Sequence, residues 1–330
     1  MIGLIPVVAA VAHGKHAASH LCVSLLIVVL LAVSVPRAHA GQEIESGHRI
    51  TCFVSILPQA FFVGKIGGEY VDAHVMVGPG QSPHTYEPTS RQLSALAGSR
   101  VYFSIGVAFE ASLLPRIERN FKGVRIVDTS EGIALRPMLD HHEESAGTSA
   151  ARSPAGTESG LHSHDNAGFD PHVWLSPRLG IVIAGNIRDA LVEIDPVHAK
   201  IYAENCSRLV TELADVDAEI ARMLAPYKGR EFFVFHPAYG YFADAYGLTQ
   251  VAIEAQGGAP GPKHLAEVMD RAKAQGARAI FVQPQISVTY AQTVAKAIDA
   301  EVVPLDPLAM NYTENLLHMA HKLAEAYQEK

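Results

Sequence analysis

The chain has 330 residues, with 26 basic side chains, 34 acidic ones and 17 histidines, for a net charge of −8. That acidic balance argues against nucleic acid or an anionic membrane as partner and is compatible with drawing cations. The length is enough to bury a large core and to form two domains.

Residues 1–40 stand apart from the rest. Lys15 precedes the apolar run "HLCVSLLIVVLLAVSV", which ends in "PRAHA", a small-residue exit with Ala38 and Ala40. A basic start, a short apolar middle and an A-x-A site predict a secretory signal peptide cleaved after Ala40. The run is short for a membrane span. Cys22 lies ahead of the apolar centre, where a lipid-attachment cysteine would not be. The forty residues hold Lys15 and Arg37 and no acid, so the remainder carries −10. Cys52 and Cys206 remain after cleavage, and spacing does not decide between a disulfide and two buried thiols.

Eight β-rich runs follow in two sets of four. The first set is "RITCFVSI", "AHVMVG", "RVYFSIG" and "VRIVDTS"; the second is "EFFVFH", "TQVAIE", "RAIFVQ" and "EVVPLD". Helical patterns such as "TSRQLSALAGS" and "PKHLAEVMDRAKAQG" lie between them. Strands separated by helix-length segments predict parallel sheets with crossover helices, hence an α/β fold in two lobes, each with a mainly parallel four-stranded sheet.

Residues 140–168 are small, polar and poor in large apolar side chains, so they predict a surface loop within the first lobe. Residues 196–225 begin with Pro196 and then repeat Ile201, Leu209, Leu213, Val216, Ile220 and Leu224 at helical spacing. Thirty such residues make a helix of ~45 Å. It serves either as a stiff connector or as a long core helix. The expected organisation is therefore a lobe over 41–195, a linker helix over 196–225 and a second lobe over 226–330.

Three side chains stand where strands end or have just ended. His84 follows "AHVMVG" in "PGQSPHTYEP", His236 ends "EFFVFH" and Asp306 ends "EVVPLD". In open α/β sheets ligands gather at the carboxyl ends of strands. His172 lies in "FDPHVWLSP", between two prolines and beside Trp174. Each residue has a structural reading taken singly, as a capped histidine, a solvated loop side chain or a turn aspartate. Together the four make three nitrogens and one oxygen, a natural set for tetrahedral zinc. Neutral imidazole is the ligating form and its ordinary pKa is ~6.5, so zinc affinity is expected to fall between pH 7 and 5.

"PGQSPHTYEP", "FDPHVWLSP", "FFVFHPAYGYFADAYGL" and "PLDPL", in that order, resemble the metal-specific solute-binding proteins of bacterial ABC importers (cluster A-I), specifically the zinc-uptake branch. The resemblance covers roughly residues 49–327. It implies His84, His172 and His236 as ligands of Zn²⁺, with the carboxylate of Asp306 near the site. It also implies two α/β lobes joined by one long rigid helix, and a histidine- and acid-containing loop between the first two ligands. Here that loop holds only His141, His142, His162 and His164; set among acidic residues, they suit either weak capture of additional zinc or a merely solvated insertion. Pro83 stands where some zinc-type members have Glu, leaving the fourth ligand open between Asp306 and water; Gln283 stands where many relatives have Glu.

The implied function is a monomeric periplasmic protein that captures Zn²⁺ and delivers it to a membrane permease served by a separate ATPase subunit. No G-x-x-x-x-G-K-[ST] occurs in the chain. A manganese-binding or adhesin-like member of the same family is one alternative. A secreted zinc hydrolase is another, against which stand the missing H-E-x-x-H and G-x-S-x-G patterns.

Overall fold

The structure is a computed structural model describing residues 49–138, 168–254, 260–286 and 288–328. The expected signal peptide and the four loop histidines His141, His142, His162 and His164 lie outside the described residues. From Gly47 onward the chain forms one compact unit.

The first half is built from β1 (Ile50–Ile56), α1 (Leu57–Gly67), β2 (Val71–Val77), α2 (Ser90–Ala97), β3 (Val101–Ser104), α3 (Glu110–Asn120) and β4 (Arg125–Asp128). All pairings are parallel, in the order β2-β1-β3-β4. β1 and β3 are buried nearly throughout, as central strands covered by helices on both faces must be. The chain leaves β1 toward β2 and then returns to place β3 on the other side. The strand order therefore reverses at β1, which opens a crevice at the carboxyl ends of β1 and β3.

The second half repeats that plan. It runs through β5 (Glu231–Val234), α6 (Gly240–Tyr246), β6 (Thr249–Ala252), α7 (Pro262–Ala274), β7 (Ala279–Val282), α8 (Thr289–Ile298) and β8 (Glu301–Pro304), with the parallel order β6-β5-β7-β8. Alternation along β5 divides its burial. Phe233 packs with Val251 and Ile280 against Val268 and Ala291 of α7 and α8. Phe232 and Val234 face the larger core shared with the rest of the protein.

Between the halves come α4 (Pro177–Ile194) and α5 (Ala199–Leu224), and the chain closes with α9 (Tyr312–Tyr327). α5 has 26 residues, ~39 Å at 1.5 Å rise, preceded by a single 3₁₀ turn over Pro196–His198. Pro196 thus opens the 3₁₀ turn, and the α-helix proper begins after it. One stripe of α5 is buried, through Tyr202, Cys206, Leu209, Leu213, Val216, Ile220 and Leu224. It packs on α1 from the first half, on α6 from the second, and on α4 and α9. The helix is both connector and core element. Cys52 and Cys206 are separate buried thiols, and burial followed by Asp72 pushes the Cys52 thiol up to about 12. No helix among the described residues is long and apolar enough to cross a membrane.

Candidate metal centre

His84 is carried by a loop after β2 whose turns are tied locally. The Gln81 side chain accepts from the Gly78 N–H at 2.9 Å, and the Thr85 N–H donates to the Ser82 carbonyl at 3.2 Å. Pro83, just before the histidine, is buried. His172 precedes a 3₁₀ turn over Val173–Leu175. That turn is anchored by Trp174, which is 1 % exposed and donates its indole N–H to the Pro307 carbonyl at 2.8 Å. The Tyr312 hydroxyl donates to the Trp174 carbonyl from α9. His236 lies just past β5, where the sheet ladder continues beyond the strand through the Phe235 N–H to the Phe281 carbonyl at 2.9 Å.

These segments bring His84, His172 and His236 together, with one ring nitrogen from each within 4.8 Å of the others. The Nε2 atoms of His84 and His236 are 3.1 Å apart. Ring centroids lie 4.6 Å apart for His84 and His236, 5.4 Å for His172 and His236, and 6.2 Å for His84 and His172. His172 and His236 are buried, and His84 is the most accessible of the three, although its ring nitrogen at the contact with His236 is partly buried.

The remaining nitrogens show which way two of the rings are set. His172 Nδ1 is 2.7 Å from Asp170 Oδ1, and His236 Nδ1 is 3.1 Å from Glu254 Oε1. An ionised carboxylate only accepts, so each Nδ1 carries the proton and each Nε2 presents its lone pair inward. Asp170 Oδ1 also accepts from the His172 N–H at 3.0 Å, fixing the backbone and the ring with one atom. Burial, then the neighbouring imidazoles of His236 and His172, lower the His84 pKa to about 4. His172 is also held below its ordinary value, chiefly by burial and against the pull of Asp170. Neutral, inward-facing nitrogens are what a metal requires and what a cluster of imidazolium cations could not supply.

Asp306 is placed differently. Its Oδ1 accepts from the Leu308 N–H at 2.9 Å and from Gln285 Nε2 at 2.8 Å, and the residue is half-buried. It does not belong to the three-histidine group. Beside the histidines is a cavity of about 30 Å³ lined by Pro83, Trp174, Gln283, Gln285 and Pro307 among others. That is room for an ion with a water, whereas pockets for organic ligands run to several hundred Å³.

Asp170 and Glu254 were not singled out from the sequence. Asp170 stands two residues before His172 in "FDPH", and Glu254 ends "TQVAIE" at the carboxyl edge of the second sheet, the position that drew attention to His236 and Asp306. A search for carboxylates at strand ends extended to β6 would have found Glu254.

Comparison with known proteins points to zinc uptake. The family described as "Zinc-uptake complex component A periplasmic" matches residues 52–326. The chain is similar to the high-affinity zinc uptake system protein ZnuA of Yersinia pestis, 28% identical over 263 residues, covering 77% of this chain and 81% of that protein. It is also similar to the zinc-binding protein AdcA of Streptococcus pyogenes, 28% identical over 292 residues and 86% of this chain. This chain spans only 55% of that longer relative. Among solved structures, a ZnuA crystal structure has a TM-score of 0.74 at 33% identity, with 85% of this chain and 100% of the other aligned. A zinc-bound ZnuA deletion mutant has a TM-score of 0.75 at 33% identity, with 86% and 99% aligned. These are solute-binding proteins of zinc uptake rather than enzymes, and this chain belongs to their family, the periplasmic A components of zinc-uptake complexes.

Proposed function

We propose that this protein captures Zn²⁺ in the periplasm through His84, His172 and His236 and hands it to the permease subunit of an ABC importer driven by a separate ATPase. The observation that carries this reading is the convergence of three imidazoles with two of their outer nitrogens held by Asp170 and Glu254. Zinc takes such nitrogens at ~2.0–2.1 Å, and carboxylate–histidine pairs orient zinc ligands generally. The small cavity supports an ion as cargo and weighs against a hydrolase, which needs space for its substrate.

The fourth position belongs to Asp306 or to water. Asp306 would reach the metal by giving up the Gln285 bond or by offering its second oxygen. In this reading the lobes are 41–195 and 226–330 with 196–225 between them, the chain acts as a monomer, and residues 1–40 direct secretion and are removed. The histidines of 140–168 add weak capture sites.

The test is metal content and zinc affinity of protein purified from the periplasm. One tight zinc per chain is expected, lost in His84→Ala, His172→Ala and His236→Ala and weakened less in Asp306→Ala. Tight zinc retained in all three histidine variants would remove this reading. Deleting residues 141–165 should spare the tight site and abolish the weaker ones.

A further inference from the structure

Residues 136–138 and 168–170 run antiparallel, with Pro137 opposite Phe169. The Asp170 N–H donates to the Arg136 carbonyl at 2.9 Å, and the Met138 N–H donates to the Gly168 carbonyl at 2.8 Å. The next rung would use the Arg136 N–H and the Asp170 carbonyl. Both are taken by a single hydroxyl from the other half of the protein. Tyr241 accepts from the Arg136 N–H at 2.9 Å and donates to the Asp170 carbonyl at 2.8 Å.

The chain positions give this contact its meaning. Asp170 holds His172 two residues on, and Tyr241 stands in the first turn of α6, five residues after His236. One phenol therefore ties the segment carrying His172 to the segment carrying His236. The surroundings are built around the same contact. The Arg136 guanidinium lies 5.8 Å from the Tyr241 ring centroid, with Nε 3.9 Å from Asp170 Oδ2 and Nη1 3.6 Å from Asp244 Oδ2. A Cβ on Gly240 would fall 1.6 Å from Arg136 Nη1 and 2.9 Å from Asp170 Oδ2, so a side chain there would push the Arg136 guanidinium out of its place.

We propose that Tyr241 is a positioning residue for the metal centre, a clamp that holds the His172 and His236 segments together and slows the release of zinc. The proposal rests on the assignment of zinc to the three histidines. A metal held between two segments leaves when they separate, and the hydroxyl opposes that separation with one hydrogen bond given and one received. Removing it takes the hydroxyl partner from a part-buried N–H and a buried carbonyl while the ring still fills its place.

The experiment is zinc release from Tyr241→Phe, followed after mixing the zinc-loaded protein with excess chelator. Tyr246→Phe is the control. It lies on the same helix and loses a comparable bond, to Asp217 Oδ1 at 3.0 Å, away from the Arg136–Asp170 pair. Tyr241→Phe should release zinc about tenfold faster than wild type, the scale of other outer-shell changes at metal sites. Tyr246→Phe should release it at the wild-type rate even where the two metal-free variants melt at the same temperature. Gly240→Ala, which displaces Arg136, should act in the same direction as Tyr241→Phe. Wild-type release from Tyr241→Phe, or equal acceleration in Tyr246→Phe, overturns the clamp. His236→Ala separates this from the parent reading: lost zinc there with unchanged release in Tyr241→Phe removes the clamp alone, and retained zinc removes the site itself.

Discussion

His84 and His236, 152 residues apart, face each other through their Nε2 atoms at 3.1 Å. Two ligands ~2.05 Å from a tetrahedral zinc stand ~3.4 Å from each other, so the pair is already near the spacing a metal would impose. With the His236 Nδ1 proton directed at Glu254, the two Nε2 atoms meet across the space where a cation would sit.

That proximity changes the expected pH response. An ordinary imidazole would begin losing zinc to protons near pH 6.5. The His84 pKa is lowered from 6.5 to about 4, by burial first and by His236 and His172 next. In the metal-free protein His84 therefore stays neutral well below the ordinary imidazole range. The sign for the fold follows from the same shift: the unfolded chain takes up a proton below about 6.5 that the folded protein refuses, so the metal-free fold loses stability as pH falls through that window. Histidine NMR titration of metal-free protein should place the His84 midpoint well below 6. A midpoint near 6.5 would contradict the geometry.

Trp174 is the chain's only tryptophan and its ring centroid lies 5.2 Å from that of His172. Its intrinsic fluorescence should change on zinc binding and stop responding in His172→Ala. Trp174→Phe removes the indole N–H from the Pro307 carbonyl and leaves a void in a fully packed place. Denaturant unfolding of that variant should show a loss of about 2–4 kcal/mol. A loss under about 0.5 kcal/mol would mean that this contact does not anchor the His172 turn.

Glu110 sits 2 % exposed at the start of α3. It accepts from the Ser55 hydroxyl, from the Ile105 N–H at 3.0 Å and from the Gly106 N–H at 2.7 Å. Burial pushes its carboxyl up from 4.5 to about 7, against the pull of those donors. Because the folded value is the higher one, the stabilising contribution is complete below about pH 4.5 and is lost as pH rises through about 7. Wild type should thus lose stability relative to Glu110→Gln between about pH 4.5 and 7, by at most ~1.4 kcal/mol per pH unit, and the difference should level off above that. Melting curves of both metal-free proteins across that range decide it, and parallel pH slopes would exclude a buried neutral carboxyl.

What the sequence made legible was whatever is encoded locally. The four central strands were readable because β1, β3, β5 and β7 are apolar runs such as "TCFVSI" and "AIFV" between helix-length segments. His236 and Asp306 stood out because they end strands. The roles of Asp170, Glu254 and Tyr241 were not legible, because each acts through another residue. Asp170 could be any turn aspartate until its Oδ1 is seen on His172, and Tyr241 acts on backbone atoms more than seventy positions away. Asp306 shows the converse. Its position at a strand end was readable, but its engagement by Gln285 and the Leu308 N–H depends on side-chain directions that no spacing encodes.

His236 is the residue on which metal preference turns. Its ring extends from the apolar run "EFFVF", is 6 % exposed, and is oriented by Glu254, so it offers a nitrogen from a fixed sheet edge rather than from a pliable loop. Three imidazoles suit zinc, whereas carboxylates suit a harder ion such as manganese. His236→Ala should weaken zinc binding strongly. His236→Glu should shift preference toward Mn²⁺, but its carboxylate would face Glu254 at close range, and that repulsion should also lower stability in the metal-free form. Adding Glu254→Gln to His236→Glu should relieve the repulsion and bring out the manganese preference more fully. Competition titrations of Zn²⁺ against Mn²⁺ in wild type, the single variant and the double variant measure it. Identical zinc-to-manganese ratios in all three would mean that His236 does not ligate, and selectivity would then rest on His84, His172 and the fourth position alone.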